Sequence, residues 1–328
     1  MNRPTVLVLG AAGRLGHSAA TAFAEAGWSV LAQQRKATPH PAGVRCIDTP
    51  LGDTAALAAQ AQGARAVVYG VNPVDHRWDR ELLPLARLGM DLAERLQAPL
   101  LLPGKVYNFG PGMPPVLRAD TPQAGGTTKG LQRCAMEAEL RDRAHAGRLR
   151  AAVIRAGDFY GGGSGNWFDQ ALVKDIGKGR LIDPGPLDVP HAWAYLPDLA
   201  RAFVAVAERA AQGAAPAFEQ LHFAGNTWTG QSLLADLQAA ADSLGLHPVG
   251  GWRIGGMPWG LIRAVGTVHP LWRELARMRY LWSVPHRLDG QSLADAVGPL
   301  PATPPSTALR HALMALRPTG ANLQATTA

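Results

Sequence analysis

Three glycines, Gly10, Gly13 and Gly16, stand at a three-residue spacing directly behind the apolar run Val6-Leu7-Val8-Leu9. Leu15, Ala19, Ala22, Phe23 and Ala26 then recur at helical spacing until Gly27. The glycines therefore join a buried parallel strand to the first turn of a helix. Backbone N–H groups at such a turn can hold a pyrophosphate, and a Cβ there would block the approach of the phosphates. Gly10, Gly13, Arg14, Leu15 and Gly16 are accordingly candidate contacts of a nucleotide cofactor. Where a dinucleotide fold carries an acidic residue for the adenosine ribose, this chain reads Gln33-Gln34-Arg35-Lys36. A guanidinium suits a 2′-phosphate, so Arg35 favours NADP, with NAD as the alternative; a solvated loop charge is the plainer reading of the same residue.

A second set of reactive side chains follows later strands. Asn72, a further candidate cofactor contact, closes the fourth strand, Lys105 and Tyr107 follow the fifth, and Lys129 lies in the first turn of a helix. A desolvated lysine titrates near neutrality and can act as an acid or base. The plainer reading of Lys105 is a solvated amine or one paired with a cofactor phosphate. Tyr107 and Tyr160 carry phenols, though a tyrosine in such a loop is more often a packed aromatic with a bonded hydroxyl. His191 and Tyr195 are weaker candidates, and Asp158 reads as a cofactor-side contact or a turn residue. Ten histidines are scattered without metal-ligand spacing, so no metal site is expected.

The elements that must position these groups alternate in type. Strands are expected at 28–33, 44–47, 66–71, 99–102 and 150–155 after the first, and helices at 54–61, 78–96 and 127–143. Six alternations of strand and helix argue a doubly wound parallel α/β sheet, whose ligand crevice lies at the carboxyl ends of its strands. The pattern then loosens, with a helix expected over 166–177, a Pro-rich stretch at 183–190, a helix ending near Ala211 and a last strand at 219–223. Helices are expected at 229–244, 257–265, 270–282 and 304–316, and a disordered tail from Pro318. Four tryptophans, Trp252, Trp259, Trp272 and Trp282, alternate with arginines in the late helices. Core packing with arginines outside is the plain reading of that stretch; an apolar pocket wall or a membrane-surface element are the others.

The 328 residues, 47% of them apolar, suffice for one large or two modest domains. Two cysteines, Cys46 and Cys134, imply no disulfide framework. No secretion signal and no apolar run of membrane-spanning length are present, which makes the cytoplasm the default. The net charge of +7 is not gathered into a Lys/Arg run, so nucleic acid is disfavoured as a partner and a small molecule preferred. A homodimer is left open.

With these residues the chain resembles the extended short-chain dehydrogenases/reductases, the NAD-dependent epimerase/dehydratase group. The likeness rests on Gly10-x-x-Gly13-x-x-Gly16, Val106-Tyr107, Arg155-Ala156-Gly157-Asp158-Phe159-Tyr160-Gly161 and Tyr195-x-Pro197-Asp198-Leu199-Ala200, and spans residues 5 to about 316. It implies a Rossmann-type domain from residues 1–160 and 191–225, and a smaller, mostly helical C-terminal substrate domain from 161–190 and 226–317. The family's Tyr-x-x-x-Lys pair exchanges a proton with the substrate and holds the nicotinamide ribose. Lys129 matches its lysine, but Gly125 stands at the tyrosine position and Pro103 at that of the catalytic serine. Neither can exchange a proton.

Two functions follow from this mixture. One is an NAD(P)-dependent oxidoreductase or epimerase/dehydratase-like enzyme on a small carbonyl or hydroxyl substrate, with Tyr107 as the best-placed replacement acid and Lys105 or Tyr160 behind it. The other is an NADP-binding redox sensor of NmrA-like type without hydride chemistry. The missing tyrosine and serine favour the sensor; the long C-terminal segment favours the enzyme.

Overall fold

The computed structural model describes residues 3–73 and 78–316. The expected tail from Pro318 lies outside them. In chain order the elements are β1 (Thr5–Leu9), α1 (Arg14–Glu25), β2 (Ser29–Gln33), β3 (Val44–Ile47), α2 (Thr54–Gln60), β4 (Ala66–Tyr69), α3 (Trp78–Leu96), β5 (Leu100–Lys105), β6 (Val116–Leu117), α4 (Thr128–His145), β7 (Ala151–Ala156) and β8 (Asp158–Tyr160). They continue with β9 (Arg180–Asp183), β10 (Pro190–Tyr195), α5 (Leu196–Ala211), β11 (Phe218–His222), β12 (Asn226–Thr229), α6 (Gly230–Asp242), β13 (Arg253–Gly256), α7 (Trp259–Gly266), α8 (Pro270–Arg277), β14 (Arg287–Leu288), α9 (Gln291–Val297) and α10 (Pro305–Ala315).

The central sheet has seven strands in the order β11-β7-β5-β4-β1-β2-β3. Every pairing in it is parallel. Alternation along β1 explains how both faces are covered. Val6 and Val8 enter the core beneath α1 and α5, while Leu7 and Leu9 enter the opposite core beneath α2, α3 and α4. Order reverses beside β1, with β4 on one side and β2 on the other, which opens a crevice at the carboxyl ends of those strands. The Rossmann-type doubly wound fold is therefore present.

A third core gathers the aromatic and late helical residues, among them Phe168, Trp193, Trp228, Trp259, Trp282 and Leu309. Trp252 and Trp272 pack against it, so the tryptophan-rich stretch is largely core. This part carries more strand than its sequence suggests. β8, β10 and β12 form one small sheet and β9 pairs with β13. The helix expected over 166–177 is instead a π-type turn at Phe168–Leu172 and a 3-10 turn at Ile176–Lys178, before β9. β10 is half-buried at its first residue and buried thereafter, so no polar alternation marks it in the sequence. Lys105, expected in a loop, is the last residue of β5. Among the described residues no helix is long and apolar enough to cross a membrane.

Candidate active site

The glycine turn is built by close backbone approach. Gly10 has φ +70°, and a Cβ on it would lie 3.0 Å from the Gly70 carbonyl; a Cβ on Gly16 would fall on the Gly10 oxygen. Gln33 fastens the turn, its Oε1 accepting from the Gly10 N–H at 3.2 Å and its Nε2 donating to the Thr49 carbonyl at 3.0 Å. Gly13 is the N-cap of α1 and brings no side-chain acceptor, which leaves first-turn N–H groups facing outward. Among those donors stands Arg14, whose Nη1 is buried without a partner. Burial lowers the Arg14 pKa, with Asp169 opposing. An orphaned guanidinium beside uncapped N–H groups is a donor set that fits a pyrophosphate. The Leu15 side chain does not join it; it is buried in the core under α1.

Arg14, Asn72, Lys105, Tyr107 and Lys129 line one cavity of about 410 Å³. Asp158 and Phe159 line it too, and Trp167, Met257, Leu271, Leu275, Met278 and Leu281 supply an apolar wall. Arg35 is exposed beyond the end of β2 and outside this lining. Trp78 organises the cationic side: Lys129 Nζ and the Arg133 guanidinium each lie 5.0 Å from its ring. Arg133 Nη2 donates to Asn72 Oδ1 at 3.0 Å, which fixes that loop. Arg133 was not a candidate from sequence, because it sits mid-helix where a charge reads as solvated; it is 3% exposed.

Lys105 is fixed from both sides. Its carbonyl accepts from Nη1 of the buried Arg155 at 2.7 Å, and Arg155 Nη2 donates to Glu137 Oε2 at 2.6 Å. Its ammonium lies 3.1 Å above the Phe159 ring centroid. Burial pulls Lys105 down to about 7; Asp158 opposes this, while Arg133 and Arg14 add to it. Asp158 is in turn held by His191, whose Nε2 lies 3.1 Å from Asp158 Oδ2 and whose Nδ1 lies 3.1 Å from the Leu281 carbonyl. Burial alone would raise the Asp158 carboxyl. The His191 hydrogen bond and the charges of His191, Lys105 and His286 outweigh it and keep the carboxyl below its ordinary value. His191 is stacked flat on Trp282 at 4.2 Å. Residues 105, 158 and 191 are far apart in sequence, and only the pairing of β5 with β7 and of β8 with β10 joins them.

The phenols are less suited to proton transfer. Burial pushes Tyr107 upward, with Arg133 opposing by charge and by a hydrogen bond. Tyr160 is wholly buried among Phe168, Trp193, Tyr195 and Trp228, and donates to Asn226 Oδ1 at 2.7 Å. Gly125 is a tight turn with φ +70°, its N–H bonded to the Asn108 carbonyl at 2.8 Å. A Cβ there would lie 2.7 Å from Leu131 Cδ2. Asp198, in the first turn of α5, accepts from the Thr303 N–H at 2.7 Å and from Arg201, tying α5 to the chain before α10.

The glycine turn, the switch-point crevice and the third core build a fold shared with solved epimerase structures. Three solved structures share it along nearly their whole length. A candidate epimerase from Burkholderia cenocepacia J2315 is 20% identical, with 96% of this chain and 98% of that chain covered and a TM-score of 0.72. UDP-glucose 4-epimerase from Brucella ovis, in complex with NAD, is 16% identical over 94% of this chain and 97% of its own, with a TM-score of 0.71. UDP-glucose 4-epimerase from Bifidobacterium longum, in complex with NAD+ and UDP, is 14% identical over 94% and 97%, with a TM-score of 0.72. No family model and no curated protein matches the sequence.

Proposed function

We propose that this chain is a nicotinamide-dependent enzyme of oxidoreductase or epimerase/dehydratase type, acting on a small carbonyl or hydroxyl compound, with Lys105 moving the proton. What supports this most is one amine, pulled down to about 7, in the same cavity as the cofactor candidates. The bound nicotinamide would supply or accept hydride. The glycine turn and Arg14 hold the pyrophosphate, Arg35 the 2′-phosphate of NADP, and Lys129 the nicotinamide ribose. Lys105 Nζ gives its proton to the substrate oxygen on reduction and takes it back on oxidation, while Asp158 and His191 position and polarise it. Residues 161–190 and 226–317 form the substrate-binding unit, and the cytoplasm is its place of action.

The test is nicotinamide absorbance against a panel of carbonyl compounds, with Lys105→Met and Tyr107→Phe beside the unaltered chain. Turnover that survives in Tyr107→Phe and is lost in Lys105→Met supports the assignment; the reverse pattern returns the role to Tyr107. The NADP-binding sensor is the second reading, and the turn at Gly125 favours it, since nothing there carries a proton. Tight NADPH binding without turnover across the panel would select it.

A further inference from the structure

The cavity's two sides differ in chemistry, and the difference bears on what it takes. The side built by the central sheet and its helices is polar and cationic, with Arg14, Lys105 and Lys129. The side built by the third core is mainly apolar, with Trp167, Met257, Leu271, Leu275, Met278 and Leu281, and carries Asn166 and Gln170 as neutral polar groups. Among the described residues the charged groups lining that side are carboxylates, Asp158 on β8 and Glu274. Glu274 Oε1 accepts from Arg277 Nη1 at 2.6 Å, and its Oε2 is buried without a partner.

We propose that the substrate is an uncharged, apolar carbonyl compound, its hydrocarbon body against Leu271, Leu275, Met257 and Trp167 and its oxygen at Lys105, and that a nucleotide sugar is not accepted. This rests on the function proposed above. A diphosphate needs cationic donors where it lies. The cations of this cavity belong to the side that would hold the cofactor, and the opposite wall offers a carboxylate oxygen that repels phosphate. Size argues the same way. A cavity of about 410 Å³ lies toward the small end of the range for a single ligand. The nicotinamide end of the cofactor and the substrate must share it, so the substrate is small. Leu271, 40% exposed, stands at the rim and gives the apolar wall its opening to solvent.

The experiment measures binding of benzylacetone and of UDP-glucose to the full chain, by calorimetry and by tryptophan fluorescence, with NADP+ present and with it absent. The expected result is benzylacetone binding at least about tenfold tighter than UDP-glucose, a difference of about 1.4 kcal/mol. Leu271→Glu, at an exposed position, should weaken benzylacetone about tenfold or more and leave NADP+ affinity within about twofold. Leu275→Gln, in the half-buried wall, should act in the same direction. UDP-glucose binding as tightly as benzylacetone, or indifference of benzylacetone to both variants, would overturn the proposal. Absence of NADP+ binding would overturn the function above instead, and the cofactor-free titrations would still decide between the two substrate classes.

Discussion

His191 and Asp158 meet at 3.1 Å, Nε2 to Oδ2, while the other ring nitrogen of His191 meets the Leu281 carbonyl at 3.1 Å. The imidazole thus ties the Asp158 carboxylate on β8 to the chain at Leu281. Lys105 stands on the far side of Asp158 in electrostatic contact with it. Lys105 and His191 thus share Asp158 as a neighbour.

That arrangement sets a pH dependence. Lys105 donates only while protonated, so turnover in the reducing direction should fall as pH rises through about 7. Asp158 raises the Lys105 pKa, so Asp158→Asn should move the fall to lower pH. Lys105→Met should cost on the order of a hundred- to ten-thousandfold in turnover. Rate profiles across pH check all three; a profile unmoved in Asp158→Asn would uncouple the two residues.

Cofactor affinity should divide by residue. Gly13→Val adds a branched side chain at the uncapped start of α1 and should abolish tight NADPH binding. Arg35→Ala should weaken NADPH about ten- to a hundredfold, the worth of a charge-assisted hydrogen bond, and leave NADH nearly unchanged. Calorimetry with both cofactors decides; equal losses would remove Arg35 from the 2′-phosphate.

Restoring the family tyrosine should fail. Gly125→Tyr would put a side chain at φ +70° and its Cβ 2.7 Å from Leu131 Cδ2. The strain should cost about 1–3 kcal/mol, read in urea denaturation, with no gain in turnover. A stable and faster variant would show that the turn can open to hold a phenol.

The support behind Lys105 should be costly to break. Arg155 is 0% and Glu137 3% exposed, and Asn108 Nδ2 and Gln123 Nε2 also donate to Glu137, at 2.8 and 2.9 Å. Arg155→Met leaves a buried carboxylate uncompensated and should destabilise by about 3–5 kcal/mol. Glu137→Gln should also destabilise, because its amide nitrogen would face two donors and Arg155 would lose its counter-charge. Equilibrium denaturation of both variants is the measurement; a stability unchanged in either would remove the pair from the support of Lys105.

Acid should destabilise the fold through buried histidines. Burial holds His222 and His286 down at about 4. Their unfolded counterparts titrate near 6.5, so between about 4 and 6.5 the unfolded chain binds more protons and stability falls as pH falls. Each contributes a loss of about 2 kcal/mol between about pH 7 and pH 5. His286→Asn should flatten the pH dependence of Tm over that range; an unchanged slope would place the acid sensitivity elsewhere.

Much of the frame is legible in the sequence because it is local. The glycine spacing behind Val6–Leu9 marks the turn, and apolar runs with helical repeats mark the sheet strands and α1 to α4 within one or two residues, except β5, which runs three residues past its expected end to Lys105. The resemblance supplied Lys129 and the empty positions Gly125 and Pro103, and Lys105 stood out as an amine at the crevice. Tertiary structure decided the rest, because it depends on what faces what. β8 has three residues and β10 is buried along nearly its whole length, so neither shows a period, and only their pairing puts His191 on Asp158. The neutral-range Lys105, the buried Arg133 and the apolar wall of α8 are products of desolvation and packing between distant segments, and no spacing along one chain encodes a dielectric environment.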